Sequence, residues 1–482
     1  DFIELINEIC LIFKMIKYLL IIFFFLMFKD AYAEDRIQGF NNWLLENDHT
    51  KYVEINEHYK ECKNCDTWDA PPRCFEEIGK PKKQCVLDGD QSYGEGGFKW
   101  AKHQKYKNNL KIKFYNNRWT IPWDSKPKFG TLLYNYYKYN FSHFTNDPIT
   151  KQWDRYEVQS SNNSIEFEKG LIEDKYVKKQ LEKTSLLSYL LYENGKVTID
   201  ELSPNDRFGS FVNNETKLRS MSVGKTMVSY VMGHAICKGY IDSIDSTIGD
   251  WSLVNNTLYQ DQKIIDLLNM SAGDQKFLEY SDFKDGGDTD TLTALEAMLK
   301  MSNKKKSNKK FNYNGLLPHL LLNYILYKTG DDFELLLNDI FQNDVKIKNS
   351  IYFYKHPNTS KDVGNANSMF FATRYDYLRI ARAMLTDWNN DTCVGQYLKT
   401  LHKNKISKLM RWKDDKNPFL NPKSYAGFFH TSYSGMSKRP VMGMDGYGGQ
   451  VIMIDFENNN IVVIHSIHLD YNWKKIAHGA IK

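Results

Sequence analysis

A serine and a lysine at a spacing suited to nucleophilic catalysis occur in residues 220–226, which read SMSVGKT. An apolar run follows over residues 227–237 and predicts a helix. Positions i and i+3 lie on one face of a helix, so the side chains of Ser222 and Lys225 can meet. A serine hydroxyl becomes a usable nucleophile only when a neighbouring base takes its proton, and a lysine serves when burial and nearby positive charge lower its pKa. Ser222 is therefore the predicted nucleophile.

The position of Ser222 at the start of a predicted helix also suits this chemistry. Unpaired N–H groups and the positive end of the helix dipole favour an alkoxide and a developing oxyanion. The same Ser-x-x-Lys spacing begins at Ser125, Ser281, Ser302 and Ser307, each in polar, lysine-rich surroundings typical of solvated loops. Only Ser222 has strand-like residues before it and an apolar run after it. The alternative for Ser222 is a structural serine.

Length and charge set the broad class of the protein. The chain has 482 residues and 42% hydrophobic content, enough for a large core and two structural units. The net charge of +5 is mild, and the lysines are scattered among acidic residues rather than arranged in a stripe. The dense run at residues 304–310 is typical of an exposed loop. We therefore expect a solvated surface and no nucleic-acid partner.

The N-terminal residues predict a secretory signal. Met15 and Lys17 precede an apolar run over residues 18–28, and an Ala-Tyr-Ala site ends at Ala33. A basic start, a short apolar region and an Ala-x-Ala site are the parts of a signal peptide, here cleaved after Ala33. An uncleaved membrane anchor is the alternative, although the run is short for a bilayer span. Met15 is the expected initiator, residues 1–14 are expected to be translated upstream sequence, and the mature protein is expected to be periplasmic or secreted with no stable membrane span.

Export changes the interpretation of the cysteines. Cys62, Cys65, Cys74 and Cys85 cluster in a segment rich in Gly, Pro and Lys. In an oxidising compartment such a cluster favours disulfides, and zinc is the alternative. The pairing is left open. Cys237, in the apolar run after Ser222, is predicted to be a buried thiol.

The remaining elements indicate an α+β fold over residues 166–482, preceded by an irregular, cysteine-containing N-terminal unit over residues 34–165 of unassigned role. Asn194-Gly195 predicts a hairpin turn between two strands. Strands are predicted at both ends of this region and helices between them, so that distant strands share one sheet. The predicted strands are residues 185–192, 196–202, 451–455 and 461–466, and the predicted helices are residues 171–181, 264–270, 290–301 (capped by Asp288 or Thr289), 316–326, 375–388 and a closing helix from residue 473.

Two further motifs follow in order, Tyr313-Asn314-Gly315 and the glycine-rich residues 444–450. Together with residues 220–226 and the LLNMSAG segment at 267–273, they resemble the serine β-lactamase and penicillin-binding-protein superfamily. The closest likeness is to its class C-like branch of esterases, D-amino-peptidases and 6-aminohexanoate-dimer hydrolases. The resemblance covers residues 166–482. It implies a β-lactamase/transpeptidase-like antiparallel sheet flanked by helices, with a helical subdomain.

The resemblance also implies roles in the second motif. Tyr313 would be the phenolic partner of Ser222 and Lys225, moving protons as a general base and then as an acid. A phenol titrates near about 10, so this role needs a nearby cation, which Lys225 would provide. Gly315 stands where the superfamily usually has an amide or hydroxyl side chain, and Asn314 is the expected substitute. The alternative for Tyr313 is a packed aromatic residue.

In the third motif the resemblance is partial. Gly446 fits the expected glycine, whereas Met444 stands where the superfamily has a lysine or histidine. The oxyanion would be held by the backbone N–H groups of Ser222 and Tyr447. Losing the basic residue favours esters or small amides over substrates with a carboxylate. His430 could line the pocket, with a surface or core position as the favoured alternative.

We therefore expect an exported serine hydrolase that cleaves esters or small amides through an acyl-enzyme on Ser222, with no metal or organic cofactor. Processing of peptidoglycan or of peptides containing D-amino acids is the enzymatic alternative. A non-catalytic binding protein on the same fold, with its cysteine-containing unit in contact with the cell wall or a protein partner, is the alternative from another class.

Overall fold

The computed structural model describes residues 154–482, except residues 210–211, 281, 357–358 and 409–420, together with residue 132 and five short strands before it. The chain divides into two compact units, Asp1–Gln152 and Trp153–Lys482. The signal peptide predicted within residues 1–33 lies outside the described residues, as do Cys62 and Cys65.

The first unit contains two small antiparallel sheets. One has the order β1-β2-β3 and the other pairs β4 with β5. The backbone register of β2 and β3 sets Cys74 opposite Cys85. The five strands are β1 (Tyr52–Ile55), β2 (Arg73–Glu77), β3 (Lys83–Val86), β4 (Lys113–Tyr115) and β5 (Arg118–Thr120).

The second unit combines helices with mostly antiparallel sheets, so the predicted α+β class is confirmed. Its helices are α1 (Lys175–Lys183), α2 (Val223–Cys237), α3 (Ile264–Leu268), α4 (Ala294–Met301), α5 (Leu316–Thr329), α6 (Phe333–Asn338), α7 (Arg374–Asn389), α8 (Cys393–Lys403) and α9 (Gly479–Ile481). Its strands are β6 (Asp154–Val158), β7 (Leu186–Glu193), β8 (Lys196–Leu202), β9 (Lys217–Arg219), β10 (Leu278–Glu279), β11 (Asp282–Phe283), β12 (Ile351–Lys355), β13 (Ala366–Thr373), β14 (Ile406–Ser407), β15 (Ser424–Ala426), β16 (Phe429–Thr431), β17 (Val441–Gly446), β18 (Gln450–Asp455) and β19 (Asn460–Ser466).

The larger sheet has eight strands in the order β14-β15-β16-β17-β18-β19-β7-β8. The last strand of the chain, β19, pairs antiparallel with β7, with Ile464 opposite Tyr189. The prediction that distant strands share one sheet is therefore confirmed. Asn194 and Gly195 join β7 to β8 with φ angles of 51° and 83°, the left-handed pair that a two-residue hairpin requires.

Each face of this sheet is covered by helices. On one face, α1 and the C-terminal residues pack against a buried apolar cluster that includes Tyr189, Val451 and Trp473. Most residues of helix α2 are buried, on every side of the helix, as expected for a helix enclosed by protein. It contacts β13, β17, β18, α5 and α8, and so lies in the interior of the unit.

A smaller sheet, in the order β6-β12-β13-β9, supports the start of α2. Strand β9 ends at Arg219, directly before the Ser220 turn, and pairs antiparallel with β13. Strand β6 belongs to this sheet through its pairing with β12. The second unit therefore begins at Trp153, whereas the sequence prediction starts this domain at residue 166.

The prediction for Cys237 is wrong, because it forms a disulfide with Cys393. The bond joins the last turn of α2 to the first residue of α8, where the two Cα atoms lie 5.8 Å apart. This separation is within the usual range for a disulfide. The two cysteines are 156 residues apart in the chain, so only the packing of α2 beside α8 brings them together.

Two predicted helix starts are also wrong. Helix α4 begins at Ala294 rather than residue 290, because Thr293 and Glu296 form a reciprocal capping box, while Asp288 bonds to the short turn before it. Helix α1 begins at Lys175 rather than residue 171, because the Asp174 carboxylate accepts hydrogen bonds from the first free N–H groups. None of the helices in the described part of the chain is long and apolar enough to cross a lipid bilayer.

Candidate active site

Ser222 lies in a tight turn between β9 and α2. The neighbouring Ser220 fixes this turn to β13: its N–H donates to Phe370 O at 2.8 Å, and its Oγ accepts from Phe370 N at 3.0 Å. Met221 has a φ of 48°, in the left-handed region that non-glycine residues rarely adopt. The chain thus enters α2 through a constrained turn, with Ser222 at its N-terminus.

Ser222, Lys225 and Tyr313 are brought together, as the sequence predicts. Lys225 Nζ donates to Ser222 Oγ at 3.2 Å, and it lies 5.2 Å from the centre of the Tyr313 ring. All three residues are partly exposed, so a substrate can reach them. Within the described residues, the Ser222 backbone N–H donates no hydrogen bond to the protein. It is therefore available to a bound oxyanion.

Tyr313 is positioned by a buried carboxylate that the sequence analysis missed. Asp274 accepts hydrogen bonds from Asn312 Nδ2 at 2.8 Å and from Asn314 Nδ2 at 3.2 Å, on either side of Tyr313. The Tyr259 hydroxyl donates to the same carboxylate at 3.1 Å. Burial raises the pKa of Asp274. In sequence, Asp274 simply follows Ser-Ala-Gly, which indicates an ordinary turn.

Asn314 is fully buried, and its side chain is held by contacts within the protein. Besides its bond to Asp274, its Nδ2 donates to Asn312 O at 3.0 Å, and its Oδ1 accepts from Leu317 N at 3.1 Å. The amide therefore supports the first turn of α5. A substrate-binding role for Asn314 stays a prediction, and it would require these bonds to be exchanged.

Tyr313 also lies beside the rings of Phe311 and Tyr425. The Tyr425 ring is edge-on to Tyr313, with 6.2 Å between ring centres, and Phe311 lies 5.1 Å from Tyr425. Tyr425 is buried and comes from β15. Tyr313 thus contacts both the Lys225 ammonium and a packed ring.

Gly446 brings the end of β17 against the nucleophile turn. A Cβ atom there would lie 2.8 Å from Ser220 O and 3.1 Å from Met221 Cβ, so a glycine is required for this approach. Gly449 N donates to Gly446 O at 3.0 Å, which closes the turn that carries Tyr447. Tyr447 therefore follows directly on the strand residue that touches the Ser222 turn. Its N–H as an oxyanion donor stays a prediction.

Met444 and Gly446 share one face of β17, and Asp445 points to the other. Met444 is buried and its side chain is uncharged. The third motif therefore supplies no cation on the face of β17 that meets the Ser222 turn. His430 is buried as well, so of the surface and core positions predicted as alternatives to the pocket, the structure gives it a core position. It lies in a group that we name the buried cluster, Lys408, His430 and Asp445.

The buried cluster was not predicted. Lys408 Nζ lies 3.1 Å from His430 Nδ1, and His430 Nε2 lies 4.0 Å from Asp445 Oδ2. Burial raises the pKa of Asp445 to about 7 against the attraction of Lys408, and burial lowers the pKa of Lys408 to about 8. Asp445 is a lone acid in an apolar strand, a pattern that signals a buried partner. The sequence around Lys408 gives no such indication.

Within the described residues, no set of three or more His, Cys, Asp or Glu side chains is grouped as a metal site.

Chemically, the site offers a hydroxyl in contact with an amine, a phenol beside that amine, and a helix-start N–H that bonds to no acceptor among the described residues. These are the parts that acyl transfer through a serine requires: a nucleophile, a proton acceptor and an oxyanion donor.

No protein-family model matches the sequence, and no curated protein sequence matches it either. Solved structures do match. A 6-aminohexanoate-dimer hydrolase from Bacillus anthracis aligns over 72% of this chain and 91% of its own, with a TM-score of 0.52 and 13% identity. A β-lactamase from Sulfitobacter sp. EE-36 aligns over 63% and 93%, with a TM-score of 0.47 and 11% identity. EstCE1, a hydrolase with promiscuous acyltransferase activity, aligns over 63% and 99%, with a TM-score of 0.44 and 13% identity.

The first of these likenesses covers nearly the whole of the related protein, and at 13% identity it establishes the fold. The chain thus has the fold of the serine β-lactamase and penicillin-binding-protein superfamily, and the predicted architecture is confirmed. Activity and substrate are not inherited from a likeness of this kind, because one fold supports many functions.

Proposed function

We propose that the chain is a serine hydrolase that cleaves esters or small amides through an acyl-enzyme on Ser222. One observation carries the proposal: Lys225 Nζ lies 3.2 Å from Ser222 Oγ at the start of a buried helix, and 5.2 Å from the centre of the Tyr313 ring. A merely structural serine does not need a partly exposed lysine in contact with its hydroxyl.

In the first step, Ser222 Oγ bonds to the substrate carbonyl carbon while its proton passes to Lys225 or Tyr313. The carbonyl oxygen becomes an oxyanion, which the N–H groups of Ser222 and Tyr447 stabilise. The bond to the leaving alcohol or amine then breaks as that group takes the proton. Water attacks the resulting ester by the reverse sequence, which frees the acid and restores the Ser222 hydroxyl.

Two features favour esters or small amides as substrates. The β17 face against the Ser222 turn presents the apolar Met444, so the strand offers no cation to a substrate carboxylate. The partly exposed Phe311 ring, whose centre lies 6.5 Å from that of Tyr313, adds apolar surface beside the site. Both features suit an uncharged acyl group.

We also propose that the enzyme acts outside the cytosol, in the periplasm or after secretion. The Cys237–Cys393 disulfide supports this location, because disulfides persist mainly in oxidising compartments. The signal-peptide pattern over residues 15–33 is the second support.

The test is intact-mass analysis of the mature protein after reaction with a fluorophosphonate, followed by turnover of a p-nitrophenyl ester. We expect one adduct on the wild type, none on Ser222→Ala, and a loss of turnover of about 10⁴-fold or more in that variant. Ser229→Ala is the matched control, because it removes a buried hydroxyl from the same helix.

Turnover by a folded Ser222→Ala protein at the wild-type rate would contradict the nucleophile assignment. A folded wild type that neither reacts nor turns over any ester, amide or D-amino-acid peptide would favour the binding-protein alternative. Pull-down with the first unit would then identify its partner.

A further inference from the structure

The methionines that the structure describes are buried, with two exceptions. Of the 15 methionines in the chain, Met15, Met27 and Met410 lie outside the described residues. Ten of the other twelve are at most 3% exposed. The remaining two, Met221 and Met369, are partly exposed. An oxidant dissolved in water therefore reaches these two thioethers more easily than the ten buried ones.

Both exposed methionines lie at the turn that carries Ser222. Strand β9 pairs antiparallel with β13, and the next residue after β9, Ser220, donates its N–H to Phe370 O in the same register. One residue further, this register sets Met221 opposite Met369. The two methionines thus come from the two segments that meet at the start of α2.

The sulfur of Met369 contacts residues that shape this turn. Arg219 Nε donates to Met369 Sδ at 3.1 Å, and Ser220 Oγ lies 3.9 Å from the same sulfur. A thioether is only a weak acceptor, so it competes little for the Ser220 hydroxyl. That hydroxyl donates to Met221 O at 3.0 Å and accepts from Phe370 N at 3.0 Å.

The Ser220 hydroxyl also lies against the first turn of α2. A Cβ atom on Gly224 would be 2.7 Å from Ser220 Oγ. The hydroxyl therefore joins β13, the turn and the helix start at one point. Oxidation converts the apolar Met369 side chain into a polar sulfoxide, whose oxygen would compete with the backbone for the Ser220 proton. A displaced Ser220 would in turn move Ser222.

We propose that Met369 is a site of reversible oxidation, and that its sulfoxide slows acyl transfer by displacing the turn that carries Ser222. The inference rests on the proposed function, because the reactivity of Ser222 is what the modification changes. It adds a means of regulation at a residue that does not touch the substrate.

The oxidant is a hydroperoxide such as hydrogen peroxide. The Met369 sulfur bonds to one peroxide oxygen, the O–O bond breaks, and the other oxygen leaves as water with both protons. The sulfur is oxidised and the peroxide is reduced. A methionine sulfoxide reductase reverses the change: two thiols are oxidised to a disulfide, and the sulfoxide oxygen leaves as water.

The experiment treats the mature protein with hydrogen peroxide, locates the added oxygen by peptide mass spectrometry and measures the rate of Ser222 labelling by a fluorophosphonate. Met369 should be oxidised before the ten buried methionines. The labelling rate should fall about tenfold as the sulfoxide forms. A methionine sulfoxide reductase with its thiol reductant should restore it. Wild type treated with the reductant alone controls for reduction of the Cys237–Cys393 bond.

Met369→Leu is the decisive variant, because it removes the sulfur at nearly constant volume. Each labelling rate is compared with that of the same variant before peroxide, and all variants carry Met410→Leu. Met369→Leu should keep most of its untreated rate. Met436→Leu, the matched control, removes a methionine of the buried apolar cluster and should lose as much as the wild type. Met221→Leu should also remain sensitive, since it retains Met369.

Hydrogen exchange gives a readout that needs no activity. Oxidation should speed the exchange of the peptide with residues 219–224 in the wild type and leave it unchanged in Met369→Leu. The melting temperature of each sample separates this local effect from general unfolding.

Three results would each overturn the proposal: oxidation of buried methionines before Met369, equal losses of rate in the wild type and Met369→Leu, or a full labelling rate with Met369 oxidised. Protection by Met221→Leu, or a loss that the reductase does not reverse, would overturn it as well. Absence of labelling in the untreated wild type would instead count against the proposed function. The position of the added oxygen and the exchange comparison would then still decide whether oxidation of Met369 loosens the turn.

Discussion

The two ends of helix α2 are held in different ways. At its first turn, Gly224 packs against the backbone carbonyl of Ser368, and Gly446 brings β17 against Ser220. At its last turn, Cys237 is bonded covalently to Cys393. The end that carries the chemistry is thus fixed by close backbone contacts, and the far end by a cross-link.

The difference follows from what each end must do. Ser222 has to stay open to a substrate, so the elements around it can approach only where a side chain is missing, as at Gly224 and Gly446. The left-handed φ of Met221 also lies at this end, where such strain is commonly found in functional sites. The C-terminal end of α2 does not have to stay open to a substrate. Each end of α2 is therefore held by its own contacts.

The sharpest way to separate the two ends is to remove the cross-link. We expect Cys237→Ala/Cys393→Ala to lower the free energy of unfolding by about 3 to 5 kcal/mol, because the bond closes a loop between residues 156 apart. Ser222 labelling below the melting temperature should change less than about threefold. Denaturant unfolding and labelling rates measure the two effects. A large loss of labelling in a folded variant would show that the two ends are coupled.

A smaller effect should come from adding one methyl group at either end. A Cβ on Gly224 would meet the Ser368 carbonyl, which is backbone, whereas a Cβ on Gly233 would lie 2.6 Å from the Tyr397 ring. We expect each Gly→Ala variant to lose about 1 to 3 kcal/mol of stability through overpacking. Only Gly224→Ala should also slow Ser222 labelling, by about tenfold or more. Equal labelling of the two variants would contradict the distinction drawn between the ends.

The smallest effect is expected at Met221. Met221→Gly relieves a left-handed φ but gives the unfolded chain more freedom, so the two terms nearly cancel. We expect the stability to change by less than about 1 kcal/mol, while the looser turn slows Ser222 labelling. Thermal unfolding and labelling rates measure this. A stability loss much greater than this would mean that the Met221 side chain, rather than the turn, matters.

Much of the fold could be predicted, because its signals are local. The Asn194-Gly195 hairpin, the apolar runs of α2 and α5, and strands β18 and β19 all follow from turn chemistry or from the spacing of apolar residues. Helix α4 was placed too early because several polar residues in a row can act as its cap, and only the geometry selects Thr293. The Cys237–Cys393 pair depends on helix packing, which no local pattern encodes.

The residues of the candidate site also divide into those that local sequence predicts and those that only the fold brings together. Ser222 and Lys225 follow from a spacing within one helix. Tyr313 lies far along the chain and was assigned only through resemblance, although the structure does place it beside Lys225. Asp274 and Lys408 had no signal at all, because each acquires its meaning from partners that only the folded chain brings near.

The Cys237–Cys393 bond also bears on how the protein would survive proteolysis. Lys304, Lys305 and Lys306 are exposed in the loop before Tyr313, and they offer trypsin-like proteases a cleavage site. A cut there falls inside the loop that the disulfide closes, so the fragment with Ser222 and the fragment with Tyr313 stay covalently joined. The nicked protein would run as one species on a gel without reductant, with both parts of its active site in the same molecule.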